Sequence, residues 1–403
     1  MNEGRTELDQ YRCVPEVDVV MQLRLAGFAY DSEEASVTLT IMNALETWRD
    51  AGLEFRSGPG GRLYDPVEVV NFLKRLGLAG ADSFWSERYV ATGRKLVADL
   101  ADLPAGCGFH VSFERTFRNS KTATAGRAPR FRVPLPLNDC GDISSLQMQL
   151  PKDAKSRRED GRLEVTASEI DLTSIAVTFN FTPNTVNSSD GDLDLYLRPK
   201  EGLVVITKRI ADLASSLVAE CPTPGLESVR AFWDFIFDRL ICGVIHYDQV
   251  DLLAPGDWVL DSGIYDCQLG SALLIALCRS IGLPARMIGG HVLYGRAPTN
   301  HFWTEVYLEG KWAPFDLLSW DLSLGGKDLE WRYHFFGQLD PRLVTQRLPH
   351  QFTGPIGVKI PGSWYMLQQP RDKGIAISLN GLDGQMVYTD VITVSSKTGV
   401  VKG

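Results

Sequence analysis

Asp266-Cys267-Gln268-Leu269-Gly270 opens the stretch that decides the fold of this chain. Gly282-Leu283-Pro284-Ala285-Arg286, His301-Phe302-Trp303-Thr304-Glu305-Val306-Tyr307 and Gly310-Lys311-Trp312 through to Asp316 complete it. After Cys267, Leu269, Leu273, Leu274, Ala276 and Leu277 recur at helical spacing, and Gly282 with Pro284 supplies a C-terminal stop. The thiol therefore stands at the first turn of an apolar helix. Residues 285–294, 301–308 and 311–316 read as strands, the last two joined by Glu309-Gly310 as a two-residue hairpin turn. In that register Trp303 lies opposite Asp316, and His301 is its diagonal neighbour on the same face. A thiol, an imidazole and a carboxylate thus follow one another on separate elements, the set a cysteine nucleophile needs.

A helix start offers a thiolate free N–H groups and the positive end of the helix dipole. The same N–H groups can receive the oxyanion of a tetrahedral intermediate. Asp266 acts both ways, capping the helix and opposing a thiolate beside it. Cys278, deeper in the helix, reads as a small buried apolar residue.

Outward from this stretch the pattern changes twice. Residues 1–104 read as a helical region, either a lid or docking module or a bundle packed on the rest. Its helices are expected over Glu33 to Gly52, from Asp65-Pro66, and over Arg88 to Leu103. From 105 to 200 the apolar period is two: Phe109, Val111 and Phe113, then Ile175, Val177, Phe179 and Phe181. Six short strands there imply an antiparallel sandwich or a strongly curved sheet. Helices return at Thr207 to Ala219 and Pro224 to Leu240, and Gly243 to Asp261 reads as loop. Residues 201–350 form the expected catalytic core, and 351–403 supply further strands packing on the core or the β-rich region. The fold class is α+β.

Composition narrows the function classes. With 44% apolar and 23% charged residues the chain is an ordinary globular one. A net charge of −9 argues against a nucleic-acid partner. No apolar run reaches membrane-spanning length, and the first residues lack a signal-peptide core, so a cytoplasmic protein with no membrane partner is expected. Seven cysteines, an odd number without a CxxC pair, and no His-Glu-x-x-His argue against a disulfide framework or a zinc site. No metal or cofactor is expected.

The four linked motifs resemble the transglutaminase-like superfamily, a papain-like cysteine fold. Its pattern is a Cys opening a helix, then Gly-(Ile/Leu)-Pro-Ala-Arg, His-x-Trp-x-Glu-Val and Gly-x-Trp-x-x-x-Asp. The resemblance covers about residues 196–325. It implies that Cys267 attacks a carbonyl to form a thioester, that His301 shuttles the proton and that Asp316 fixes its tautomer. It places Tyr265, Asp266, Gln268 and Trp303 at the substrate pocket and gives Arg286 and Glu305 structural roles. Many relatives carry Gly two residues before the Cys and acidic or aromatic residues after it. Here Tyr265 precedes it and Gln268-Leu269-Gly270-Ser271 follow, so protein glutamine is not fixed as the acyl donor.

Size and the added helical region are similar to a subgroup that off-loads carrier-bound polyketide–peptide thioesters as tetramic acids by Dieckmann-type closure. The implied substrate is then a small-molecule or carrier-protein-bound acyl thioester, with an acyl or peptidyl carrier protein as partner. Arg115, Arg118, Lys121, Arg127, Arg130 and Arg132 form a basic run able to steer an acidic carrier. A protein-directed transglutaminase, a cysteine peptidase and a non-catalytic binding domain on the same fold stay open. Asp-x-Asp-x-Asp-Gly loops are absent, which disfavours a calcium-regulated type.

Overall fold

The computed structural model describes residues 13–23, 34–78, 83–104, 106–118, 130–166, 174–184, 192–221, 223–295, 298–347, 369–371, 376–383 and 386–396. The N-terminal region comprises β1 (Val14–Pro15), α1 (Glu16–Leu23), α2 (Glu34–Asp50), β2 (Arg56–Gly58), β3 (Gly61–Tyr64), α3 (Pro66–Leu78) and α4 (Ser83–Ala101). Pro66 takes the first helical position, where its missing N–H costs nothing, and Asp65 accepts the Val67 N–H at 3.0 Å. Ile41, Leu45 and Trp48 of α2 meet Val69, Val70 and Leu73 of α3 in a small core with Val19 and Tyr64. The helical expectation for this region gains an antiparallel sheet in the order β1-β3-β2. Its strands are only two to four residues long, too short for an alternating pattern to register.

The β-rich region holds β4 (Phe109–Arg118), β5 (Arg130–Pro134), β6 (Gly141–Gln149), β7 (Lys155–Glu159), β8 (Arg162–Thr166) and β9 (Ser174–Pro183). Antiparallel pairing sets Phe109 opposite Phe181, Val111 opposite Phe179 and Phe113 opposite Val177. These side chains share one core with Val133, Leu163 and Val165 of the smaller β5-β8-β7 sheet. Two sheets thus pack by their apolar faces, each large buried side chain contributing about 1.5–3 kcal/mol. Arg115, the first residue of the basic run, is not on a solvated loop. It sits within β4, opposite Ile175 on one side and Asp390 on the other, and is buried. It cannot steer a partner. Lys121 and Arg127 lie outside the described residues.

The core contains β10 (Lys200–Glu201), β11 (Val204–Val205), α5 (Lys208–Leu217), α6 (Leu226–Arg239), β12 (Ile241–Cys242), α7 (Pro255–Ser262), β13 (Ile264–Tyr265) and α8 (Cys267–Ser280). β14 (Ala285–Val292), β15 (Asn300–Leu308), β16 (Lys311–Phe315), α9 (Ser319–Leu322), α10 (Leu329–Arg332) and β17 (Arg342–Arg347) follow. The sheet runs β16-β15-β14-β17. α8 is wrapped on all sides: Leu269, Leu273, Leu274 and Leu277 are buried in one cluster with Ile210 and Ala214 of α5, Val229 and Trp233 of α6, and Val259 of α7. The β15–β16 hairpin turns through Glu309 (φ 51°) and Gly310 (φ 82°), the two positive angles a tight primed turn requires. Thr304 pairs with Phe315 and Leu308 with Lys311, as the two-residue turn dictates.

Gly243 to Asp261 is not the loop expected of it. It carries a short 3-10 turn at Tyr247–Gln249 and then α7, which starts at Pro255 and ends at Gly263 in the left-handed region (φ 71°). Just before it, β12 pairs in parallel with β13, Cys242 opposite Tyr265. Gly243 fits tightly there: a Cβ would lie 2.4 Å from Asn71 Oδ1 and 2.8 Å from Ile264 Cγ2. Gly243→Ala is therefore expected to destabilise the protein by about 1–3 kcal/mol, read as a fall in the urea midpoint. An unchanged midpoint would show that the α3–β12 contact yields easily.

β18 (Gln369–Arg371), β19 (Ala376–Asp383) and β20 (Met386–Ser396) complete the larger sheet, ordered β18-β19-β20-β4-β9-β6. The C-terminal strands thus join the β-rich region. The N-terminal region is pinned to the core by Lys74 to Asp321 (2.6 Å) and Arg94 to Asp328 (2.7 Å). Among the described residues, no helix is long and apolar enough to cross a membrane.

Candidate active site

Asp266 is the N-cap of α8, in extended conformation, and its carboxylate accepts the N–H groups of Gln268 (3.1 Å) and Leu269 (2.9 Å). That leaves Cys267 as the first helical residue, half-buried. The backbone N–H groups of Phe302 and Gln268 point at its sulfur. Contact with Phe302 sets the thiol beside the residue that directly follows His301.

His301 and Asp316 meet as the hairpin register requires. His301 Nε2 lies 2.9 Å from both carboxylate oxygens of Asp316. A carboxylate only accepts, so Nε2 carries the proton and Nδ1 is the basic nitrogen. Asp316 is fully buried and also accepts the Leu318 N–H at 2.8 Å. Burial would raise its carboxyl, but His301 and Arg342 beside it hold it well below the usual carboxylate range.

Arg342 is the residue that sequence reasoning missed. Its Nη1 donates to Asp316 and its Nε donates to Asp340 at 2.8 Å, while Tyr294 OH donates to Asp340 at 2.6 Å. Its guanidinium lies over the rings of Trp303 (5.0 Å) and Phe335 (5.1 Å). Asp316 is therefore held by a buried chain running from His301 to Tyr294. No motif announces Asp340-Pro341-Arg342; only the pairing of β17 with β14, which sets Val292 opposite Arg342, brings it in.

Burial pushes the Cys267 thiol well above its ordinary value; the charges of Asp266 and Asp316 add to this, and the Phe302 and Gln268 N–H groups oppose it. The helix start therefore does not lower the thiol as its dipole alone would. Asp266 also claims two of the N–H groups expected to receive an oxyanion, those of Gln268 and Leu269.

The four residues assigned to a substrate pocket divide. Asp266 and Gln268 border Cys267 at the helix start, each 8% exposed. Tyr265 is fully buried, its ring filling the space beside Gly270, where an added Cβ would sit 2.4 Å from it. Trp303, 1% exposed, supports Arg342 from beneath. Both pack rather than line an open cleft. Arg286 bonds Glu305 (2.7 Å) and stacks on Trp312 (4.0 Å), a structural brace between β14, β15 and β16. Among the described residues, no cluster of His, Cys, Asp or Glu has the arrangement of a metal site.

Residues 211–317 match the model of the transglutaminase-like superfamily. Among solved structures the chain is similar to a candidate cysteine protease from Cytophaga hutchinsonii, at 15% identity, covering 73% of this chain and 92% of that one with a TM-score of 0.47. It is also similar to the periplasmic domain of TgpA from Pseudomonas aeruginosa, at 16% identity, covering 58% and 94% with a TM-score of 0.30. No curated protein matches it.

Proposed function

We propose that this chain, whose core belongs to the transglutaminase-like superfamily, is a cysteine-dependent acyl-transfer enzyme working through a thioester on Cys267. The observation that carries the reading is the joint placement of Cys267 against Phe302 and of His301 Nε2 against Asp316. His301 Nδ1 takes the thiol proton as Sγ attacks the carbonyl carbon, and the carbonyl oxygen becomes an oxyanion. Collapse breaks the bond to the leaving group, which departs with the proton held by His301. A second nucleophile then gives its proton to His301 and attacks the acyl-enzyme carbonyl, the carbonyl–Sγ bond breaks, and His301 passes that proton to the departing Cys267 thiolate.

The finer reading is that the donor is an acyl thioester, small or borne on a carrier protein, and that the acceptor is the acyl chain's own stabilised carbanion. That closure forms a carbon–carbon bond and a tetramic-acid-type ring. What supports this reading is the resemblance in size and added helical region to the tetramate-forming subgroup, together with Gln268-Leu269-Gly270-Ser271 standing where many relatives carry acidic or aromatic residues.

Intact mass after mixing with β-ketoacyl-aminoacyl thioesters tests both levels. An acyl adduct on the wild type and none on Cys267→Ala is the expected result. Product analysis then separates a cyclised product from a hydrolysed or aminolysed one. Adduct formation that survives Cys267→Ala would remove the nucleophile assignment.

A further inference from the structure

We infer that Tyr247 is a positioning residue for the nucleophile, acting through Asp266 and set in place by helix α3 of the N-terminal region. This rests on the reading of Cys267 as the nucleophile.

Tyr247 OH lies 2.9 Å and 2.8 Å from the two oxygens of Asp266, and neither residue is exposed by more than 8%. With the Gln268 and Leu269 N–H groups, the hydroxyl fixes the carboxylate at the foot of α8, one residue before the reactive sulfur. The segment carrying Tyr247 sinks Ile245, Tyr247 and Val250 into the main core around a three-residue 3-10 turn. It is also gripped from both sides. On one side Gly243 N–H donates to Tyr265 O at 2.7 Å. On the other, Asn71 of α3 accepts the Val244 N–H at 2.9 Å and donates to the Val244 carbonyl at 3.0 Å. One residue before Tyr247, His246 Nε2 meets Asp65 at 2.7 Å, on the carboxylate whose other oxygen caps α3. A continuous series of contacts therefore runs from α3, through residues 243–247, to Asp266 and Cys267.

Such a series does more than hold a helix end. A carboxylate beside a thiol opposes its ionisation; burial raises the Asp266 carboxyl, while the Leu269 N–H, the Tyr247 hydroxyl and the Gln268 N–H favour its charged form and draw that charge away from the sulfur. The titratable groups bearing on Cys267 are Asp266 at the foot of its own helix, Asp316 after β16 and Cys242 on β12, while His301 on β15 directly precedes Phe302, whose N–H meets the sulfur. Of these, Asp266 is the one Tyr247 touches. The N-terminal region is on this account part of the catalytic apparatus and not a detachable lid.

The test is the rate of Cys267 alkylation by iodoacetamide between pH 6 and 10 in the full chain. The rate is resolved from the other six cysteines by peptide mass analysis. Tyr247→Phe, which keeps the ring, is expected to slow alkylation about tenfold at pH 8, equivalent to about one unit of upward shift in the midpoint. Asp266→Asn keeps a capping side chain but removes the charge, and is expected to shift the midpoint the other way. In the Asp266→Asn background Tyr247→Phe should then have no further effect, and Asn71→Ala should reproduce the Tyr247→Phe shift. A merely structural role would change the unfolding midpoint but not the alkylation profile. An unshifted profile in Tyr247→Phe, or a shift of full size in the Asp266→Asn background, overturns the inference. Loss of acylation in Cys267→Ala is scored separately, so failure of the nucleophile reading is distinguishable from failure of this one.

Discussion

Asp316→Asn is expected to lower the acylation rate by about 10³–10⁴-fold with little change in substrate affinity. The carboxylate accepts the His301 Nε2 proton, and an amide of the same shape presents one acceptor and one donor in its place. Arg342 decides which way the amide turns. Its Nη1 already donates to Asp316 Oδ2, so the amide oxygen is drawn toward the guanidinium and the NH2 group faces His301. Nε2 must then accept, the proton moves to Nδ1, and the nitrogen assigned to take the thiol proton can no longer act as a base. Single-turnover acylation with a small thioester gives the rate, and 15N spectra of His301 give the tautomer. A loss smaller than about tenfold, with the Nε2–H tautomer retained, would show that Asp316 does not orient the base.

Arg342→Met is expected to cost about 3–5 kcal/mol of stability, because Asp316 and Asp340 then lose the buried cation between them. The methionine chain can still rest on Trp303 and Phe335, so loss of charge outweighs loss of packing. The effect is pH-dependent in a fixed direction. Asp316 is held below its unfolded value, so its contribution to stability is complete above the ordinary carboxylate range and is lost as the pH falls through and below it. Without Arg342 the carboxyl takes up its proton at higher pH, so acid unfolding should begin earlier. Urea titrations between pH 3 and 8 read both. Equal stability of the two proteins at pH 7 would show that a neighbouring group or water replaces the guanidinium.

The parts of the site legible in the sequence are those whose partners are close along the chain. Glu309-Gly310 dictates a two-residue turn, and that turn alone brings Asp316 back to His301. The apolar repeat after Cys267 dictates a helix that starts there. The roles of Tyr247 and Arg342 were not legible, for they act across other elements: one through a 3-10 turn, the other through a strand paired with β14. Trp303 and Tyr265 look like pocket residues because they neighbour reactive ones. The strand's alternation instead turns Trp303 under Arg342, and the β12–β13 pairing seals Tyr265 inside. α7 was hidden because Pro255-Gly256-Asp257 reads as a turn, although Pro at a helix start is equally regular. Of the basic run, Arg115 was misplaced, since charge pattern does not reveal that β4 carries it into the interior between two strands.

The place of β20 in the larger sheet has a consequence for how the molecule is made. Val111 of β4 pairs with Phe179 on one side and with Val394 on the other. During synthesis the first partner arrives early and the second only after the intervening core has left the ribosome. The catalytic core, whose last strand ends at Arg347, is complete before then and can fold while one flank of β4 is still open. Closing that flank must await β20, and until it occurs β4 offers an unsatisfied edge to other nascent chains.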